Sequence, residues 1–156
     1  MELGYPVISY TLQEKGITPY REIPSDLSAG REVYSKNLED LHSLLEWNLS
    51  QGIKFYRVSN QLAFDSRFES EEILQKLSSI GDFCKTNGIR LSFHCSHYVV
   101  LCSPKSFIRS RAKAEIERLS IFFDKLGYEA SHWNKINLHI GGAYGNKKKA
   151  MDDRIS

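Results

Sequence analysis

An α/β fold built as part of a (β/α)8 barrel is what this sequence predicts, and three observations carry it. The elements alternate as β-α-β-α-β-α-β, the strands alternate polar with apolar residues, and two strands end in histidine. Alternation of strand and helix means a parallel sheet with right-handed crossovers, either an open doubly wound sheet or a segment of a barrel. A parallel strand covered on both faces reads as a continuous apolar run, and these strands do not. The third sets Arg90, Ser92 and His94 against Ile89, Leu91 and Phe93; the fourth sets Asn137 and His139 against Ile136, Leu138 and Ile140. One face thus meets helices while the other is polar and basic, as in a barrel interior that opens into a site. A full barrel takes about 250 residues and this chain has 156. The expectation is a half-barrel of about four parallel strands and three helices, forming one domain over 1–156.

The elements follow in order. A first strand is expected over 2–9, then a polar loop around Gly16, Pro19, Pro24 and Gly30. Over 31–51, Leu38, Leu41, Leu45 and Asn48 recur at helical spacing and Gly52 supplies the stop. Residues 53–58 are rich in aromatic and β-branched side chains and predict a second strand. Ser70 followed by Glu71 and Glu72 is a capped, dipole-matched helix start. Ile73, Leu77, Ile80 and Cys84 form the stripe behind it, and Gly88 ends it. The third strand is expected over 89–93. Ser103-Pro104 reads as an N-cap with proline at the first helical position, opening a helix that buries Ile116, Leu119, Phe123 and Leu126 before Gly127. The fourth strand is expected over 135–140.

Composition narrows the function classes. A net charge of +2, from 21 basic and 19 acidic residues, with 41% hydrophobic and 26% charged side chains, is ordinary globular composition and excludes disordered and fibrous classes. No stretch approaches the roughly 18 apolar residues of a membrane span. The N-terminal residues lack a basic segment followed by an apolar core, so secretion is not expected. Cys84, Cys95 and Cys102 cannot all pair, which favours a reducing compartment, the cytoplasm or a eukaryotic nucleus. Near-neutral charge leaves nucleic acid open, because a local basic patch suffices.

The histidines His94 and His139 close strands three and four at the edge where barrel enzymes hold their chemistry. For either alone, a core hydrogen bond is the competing reading. The run His94-Cys95-Ser96-His97-Tyr98 has the residue types of a zinc site. Structural zinc takes four ligands, however, and only Cys102 stands nearby as a fourth. A divalent metal at His94 and His139, helped by carboxylates from elsewhere, fits a hydrolytic site better. After strand four, Gly141-Gly142-Ala143-Tyr144-Gly145-Asn146 leads into Lys147-Lys148-Lys149. The glycines suit a tight turn and the lysines a solvated basic run or an anion contact; the P-loop spacing is absent. His42, His132, Trp47, Trp133 and Cys84 read as structural.

Together these residues carry a resemblance. Leu3-Gly4-Tyr5, Asn37-Leu38-Glu39-Asp40-Leu41, and Asn48 through Gly52-Ile53 to Tyr56-Arg57-Val58-Ser59 resemble the UV damage endonuclease family. So do Leu91-Ser92-Phe93-His94 with Tyr98-Val99-Val100 and Ser103-Pro104, and Leu138-His139-Ile140-Gly141-Gly142-Ala143-Tyr144-Gly145. The resemblance implies a TIM barrel that nicks duplex DNA on the 5′ side of ultraviolet photoproducts, using a cluster of divalent metals, usually manganese. It implies His94 and His139 as metal ligands and Tyr98 as the aromatic member of a pair that wedges into the duplex. The family motif reads His-Pro-Gly-Gln-aromatic; here Cys95, Ser96 and His97 replace Pro-Gly-Gln, so His97 stands in the wedge glutamine's place. Gln61 stands where some relatives carry a metal-binding histidine, and Tyr5 matches a tyrosine near the active site. Arg57, Arg90 and the lysines from Lys147 to Lys149 are candidate phosphate contacts, with Arg57 and Arg90 equally suited to ionic roles within the barrel.

The family's further metal ligands come from later strands. The implied partners are therefore duplex DNA carrying ultraviolet lesions and either a C-terminal half-barrel or a second copy, with no membrane. Three readings follow: a repair endonuclease homologue inactive alone, a non-catalytic DNA-binding remnant, or a sugar-isomerase-like metal enzyme.

Overall fold

The computed structural model describes residues 4–129, 131–139, 141, 145, 146, 148, 149 and 152. Strand β1 (Gly4–Pro6) leads through a short helix α1 (Tyr10–Gln13) to α2 (Leu27–Ser50) and β2 (Phe55–Val58). Two 3-10 turns (Asn60–Leu62 and Ser66–Phe68) precede α3 (Glu71–Asn87), β3 (Arg90–His94), α4 (Ser106–Lys125) and β4 (Lys135–Asn137).

All four strands are parallel, in the order β1-β2-β3-β4. A doubly wound sheet reverses its strand order part-way and so places helices on both faces. A sequential order with crossovers of one hand keeps every helix on one side, which is half of a barrel wall. The register confirms the division of faces. Tyr5, Tyr56 and Leu91 align in one row, and Val58, Phe93 and Ile136 in the next. These rows face the helices: the Phe93 ring meets Phe122 and Phe123 of α4 edge-on, each at 5.3 Å. The opposite face carries Pro6, Arg57, Ser92 and Lys135 in one row and His94 with Asn137 in the next.

The helices form for the reasons their sequences supply, with corrections at the ends. Helix α2 begins at Leu27, ahead of the expected 31, because the Asp26 carboxylate accepts the Ala29 amide at 2.8 Å. Its buried stripe includes Leu38, Leu41, Leu45 and Asn48 as expected, with Leu44 added. Helix α3 is as predicted: Ser70 Oγ accepts the Ile73 amide, and Gly88 closes the helix at φ 64°, a left-handed conformation that glycine adopts without penalty. Helix α4 departs from expectation. It starts at Ser106 with Lys105 as N-cap and no side-chain cap. Ser103 Oγ accepts the Lys105 amide at 3.3 Å, and the Ser103 carbonyl accepts Arg109 Nη1 at 2.7 Å. Ser103-Pro104 therefore builds a turn ahead of the helix.

The segment expected as a polar loop is ordered. Buried Leu12 anchors α1, and the chain that follows is pinned to α2 by two buried polar residues. Asn37 exchanges hydrogen bonds with the Arg21 backbone at 3.1 and 3.0 Å, and Asp40 accepts the Thr18 amide at 2.8 Å. The strands are shorter than predicted at β1, β2 and β4, and β3 is shifted by one residue to end on His94. Residues 2, 3 and 140 of the expected strands lie outside the described residues. No helix among the described residues is long and apolar enough to cross a membrane.

Candidate functional site

The C-terminal ends of β2, β3 and the segment after β4 converge on one spot. His94 is the last residue of β3, and its register partner Asn137 leads to His139 two residues on. The two imidazoles meet with their Nε2 atoms 2.9 Å apart, ring planes at 88° and centroids at 4.7 Å. The backbone beneath them is fixed from both sides. Asn60 Nδ2 donates to the His94 carbonyl at 3.1 Å, Asn137 Nδ2 to the Phe93 carbonyl at 3.3 Å, and the Cys95 amide to the Asn137 carbonyl at 2.9 Å. Burial, with the Arg57 guanidinium and His139 adding to it, holds the His94 imidazole below its ordinary pKa. A neutral ring keeps a lone pair on one nitrogen, the state that binds a metal.

The donor pair fits a divalent cation. Two nitrogens bound at right angles to one octahedral ion, each at about 2.1 Å, stand about 3.0 Å apart, close to the observed spacing. The same spacing also suits an N–H···N bond between two neutral rings, with one donating and the other accepting. Among the described residues no third His, Cys, Asp or Glu joins them, so a cation would find two imidazole donors here. Two buried oxygens nearby, Ser92 Oγ on the inner face and Asn60 Oδ1, have no hydrogen-bond partner among the described residues.

A recess of about 330 Å³ opens beside His94, lined by Val7, Arg57, Val58, Ser59, Asn60 and Gln61. The structure thus brings His94, His139, Arg57 and Gln61 together. Gln61 is carried on the 3-10 turn after β2, where Ser59 Oγ accepts the Gln61 amide at 3.2 Å. Tyr5 is not brought to this spot. Its row faces the helices, its ring stacks edge-on against Tyr56 at 5.4 Å, and its hydroxyl donates to Asn48 Oδ1 of α2 at 2.7 Å.

The turn after β3 closes with the Val99 amide on the Ser96 carbonyl at 2.8 Å and presents His97 and Tyr98 at its tip. Their rings lie 3.9 Å apart at 40°, and Tyr98 is 77% exposed. Both rings are exposed to solvent. Cys95 turns the other way, fully buried in the core. Cys84 is buried too, and burial pushes its thiol up to about 12, so it stays an inert core group. Lys147, and Gly142 to Tyr144 of the loop motif, lie outside the described residues.

Residues 4–155 match the family model for UV-endonuclease UvdE. The chain belongs to the UvdE family. It is 33% identical to the UV DNA damage endonuclease of Clostridium perfringens (strain 13 / Type A) over 161 residues, covering 98% of this chain and 38% of that protein. With the UV DNA damage endonuclease of Bacillus cereus (strain B4264) it shares 30% over 126 residues, covering 77% of this chain and 39% of the other. The crystal structure of SacUVDE superposes with a TM-score of 0.86 at 30% identity, over 99% of this chain and 54% of that one. The chain therefore spans about two-fifths of those two relatives and about half of SacUVDE. Its four strands correspond to one half of a TIM barrel of the UvdE kind.

Two residues of this UvdE-family site escaped the sequence. Asn60 holds the end of β3 from the neighbouring turn; the Ser-Asn pair directly after a strand was its available signal. Val7 adopts φ 52°, a left-handed conformation that a β-branched residue rarely takes. It is held there by its amide on the Arg57 carbonyl at 2.9 Å and by the Tyr56 hydroxyl on its own carbonyl at 2.7 Å. No sequence signal marks it, because valine is a poor residue for that conformation.

Proposed function

We propose that this chain is the metal- and DNA-binding N-terminal half of a repair endonuclease domain that nicks duplex DNA 5′ to ultraviolet photoproducts. The observation that carries the reading is the convergence of His94 and His139 Nε2 at 2.9 Å on the C-terminal side of the sheet. In this reading the two histidines hold one divalent cation, Mn2+, and the remaining ligands come from a second half-barrel. The cation supplies a water made nucleophilic near neutral pH and charge neutralisation on the phosphodiester oxygens.

This chain's own residues do the rest. His94 stays neutral and ligand-ready; Arg57, on the same inner face, and Gln61, in the same recess, bind and orient the phosphate. His97 and Tyr98 press into the duplex from their turn. A photodimer weakens stacking, so opening the helix there costs less than in intact DNA, and an aromatic ring fills the vacated space. In this reading Lys147 adds a further phosphate contact. His97 in place of glutamine gives the wedge two stacked rings, which favours loss of stacking over hydrogen-bond readout as the discriminating signal.

Because the histidine pair is an incomplete ligand set among the described residues, the chain alone binds metal and damaged DNA without efficient cutting. The test is Mn2+ binding by electron paramagnetic resonance, with anisotropy of irradiated and unirradiated duplex. His94→Ala and His139→Ala are each expected to weaken Mn2+ binding at least tenfold, and Tyr98→Ala to erase the preference for irradiated duplex. Mn2+ binding that survives both histidine substitutions would sink the metal assignment.

A further inference from the structure

Val7 is the one non-glycine residue with positive φ among the described residues; the other six such positions are all glycine. Glycine takes this conformation freely, whereas a branched Cβ is strongly disfavoured there. The chain nevertheless holds Val7 in place from three sides. Its amide donates to the Arg57 carbonyl at 2.9 Å, and the Ile8 amide closes a γ-turn on the Pro6 carbonyl at 2.6 Å. The buried Tyr56 donates its hydroxyl to the Val7 carbonyl at 2.7 Å. Strain of this kind persists only where the surroundings over-determine it, and it gathers at functional sites. The turn also redirects the side chain. Strand alternation from Tyr5 and Pro6 would set Val7 in the row that faces the helices; instead it lines the recess of about 330 Å³ beside His94, together with Arg57. No acidic residue lines that recess. The half-buried Arg57 guanidinium has no ion pair or hydrogen bond among the described residues, and a guanidinium so placed suits an oxyanion.

We propose that Val7 is a positioning residue for Arg57: its isopropyl group, turned into the recess under backbone strain, closes one wall and holds the guanidinium toward a bound phosphate. This rests on the phosphate role given to Arg57 above and deepens it. A long side chain in an open recess loses rotamer freedom when it binds; a wall that has already removed that freedom lessens the loss. An apolar wall also keeps water from the charge, which strengthens its attraction to a phosphate. Glycine at position 7 would relieve the strain and open the wall together, so the side chain and not only the backbone path is what the site requires.

The test uses the 156-residue chain and undamaged paired duplex, read by fluorescence anisotropy across a salt series, in a double-mutant cycle with Arg57→Gln. Arg57→Gln alone is expected to weaken binding about three- to tenfold and to lower the salt slope by about one. Val7→Gly and Val7→Ala are each expected to weaken binding about two- to fivefold, but by less than about 1.5-fold once Arg57 is already replaced. Val7→Ile keeps the branched wall and is expected to bind within about twofold of wild type. Thermal melting separates these losses from unfolding: Val7→Gly is expected to melt no lower than Val7→Ala, the reverse of their order at an unstrained position. Equal losses from Val7→Gly with and without Arg57 overturn the proposal and leave the function above intact. Wild-type affinity in Val7→Ala, or a loss in Val7→Ile as large as in Val7→Ala, overturns it in the same way. So does a Tm for Val7→Ala clearly above that of Val7→Gly, which shows an unstrained backbone. Wild-type affinity in Arg57→Gln overturns both the proposal and the phosphate role of Arg57. Failure of the wild-type chain to bind any duplex overturns the DNA reading and the proposal with it.

Discussion

Asp40 of α2 has a side chain only 4% exposed, and its carboxylate meets Arg21 at 2.5 Å and Lys36 at 3.1 Å. Burial alone would raise its pKa; the Thr18 amide, Arg21 and Lys36 outweigh burial and hold the carboxyl below its ordinary value. A depressed folded-state value contributes stability that is fully present above the unfolded pKa near 4 and is lost as pH falls through the folded value. Urea midpoints are therefore expected to be level from about pH 7 to 5 and to fall below about pH 4. In Asp40→Ala that acid decline should shrink, with a loss of about 1–3 kcal/mol at pH 7 from the unpaired Arg21 and the freed loop. An acid decline of equal size in wild type and variant would refute the assignment. At this scale the sequence was half legible. Asn37 and Asp40 stood out within a family-like run, but their partners, Thr18 and Arg21, lie 16 to 22 residues upstream, and no local pattern joins them. The orientation of Tyr5 was not legible for a related reason: a strand of three residues gives too little alternation to say which parity faces inward, and the structure points Tyr5 toward α2, with its hydroxyl on Asn48.

Among the elements, α3 was legible throughout because its cap, acidic first turn, apolar stripe and glycine stop are all local signals. Its contact with α4 was not. A Cβ built on Gly81 would stand 1.9 Å from the Leu126 carbonyl, so Gly81→Ala must force the two helices apart. The expected cost is about 1–3 kcal/mol, read as a lower urea midpoint; an unchanged midpoint would show the helices free to move. The start of α4 was misread because Ser-Pro suits a turn as well as a helix cap, and the bond from Arg109 to the Ser103 carbonyl decides for the turn. That leaves the helix beginning on Lys105, a poor N-cap with the wrong charge for the positive end of the helix dipole. Lys105→Ser is expected to stabilise the chain by about 0.5–1 kcal/mol, measured as a raised midpoint with unchanged denaturant slope.

For the molecule as a whole, the half-barrel followed from alternation of elements and from strands polar on one face; the meeting of His94 and His139 was expected from the ends of adjacent strands, although β4 ends at Asn137 and His139 lies two residues beyond it. The ring separation and the strained Val7 did not follow, since both depend on how strand ends are packed and not on periodicity. The sheet keeps an outer edge on β1 and on β4, each three residues long, and such brevity limits indiscriminate edge pairing. A separately expressed C-terminal half from the Clostridium perfringens relative is expected to pair with this chain, raise its Tm and confer Mn2+-dependent incision of irradiated duplex. Co-elution without incision in that mixture would argue that the histidine pair is no longer part of a working cluster.

The sequential strand order also has a kinetic meaning. Every strand pairs with neighbours adjacent along the chain, so each new β-α unit emerging from the ribosome finds its docking edge already made. Folding can therefore advance from the N-terminus without waiting for a distant segment. Native-state hydrogen exchange should reflect this, slowest at the β2–β3 pairing in the middle and faster toward β1 and β4.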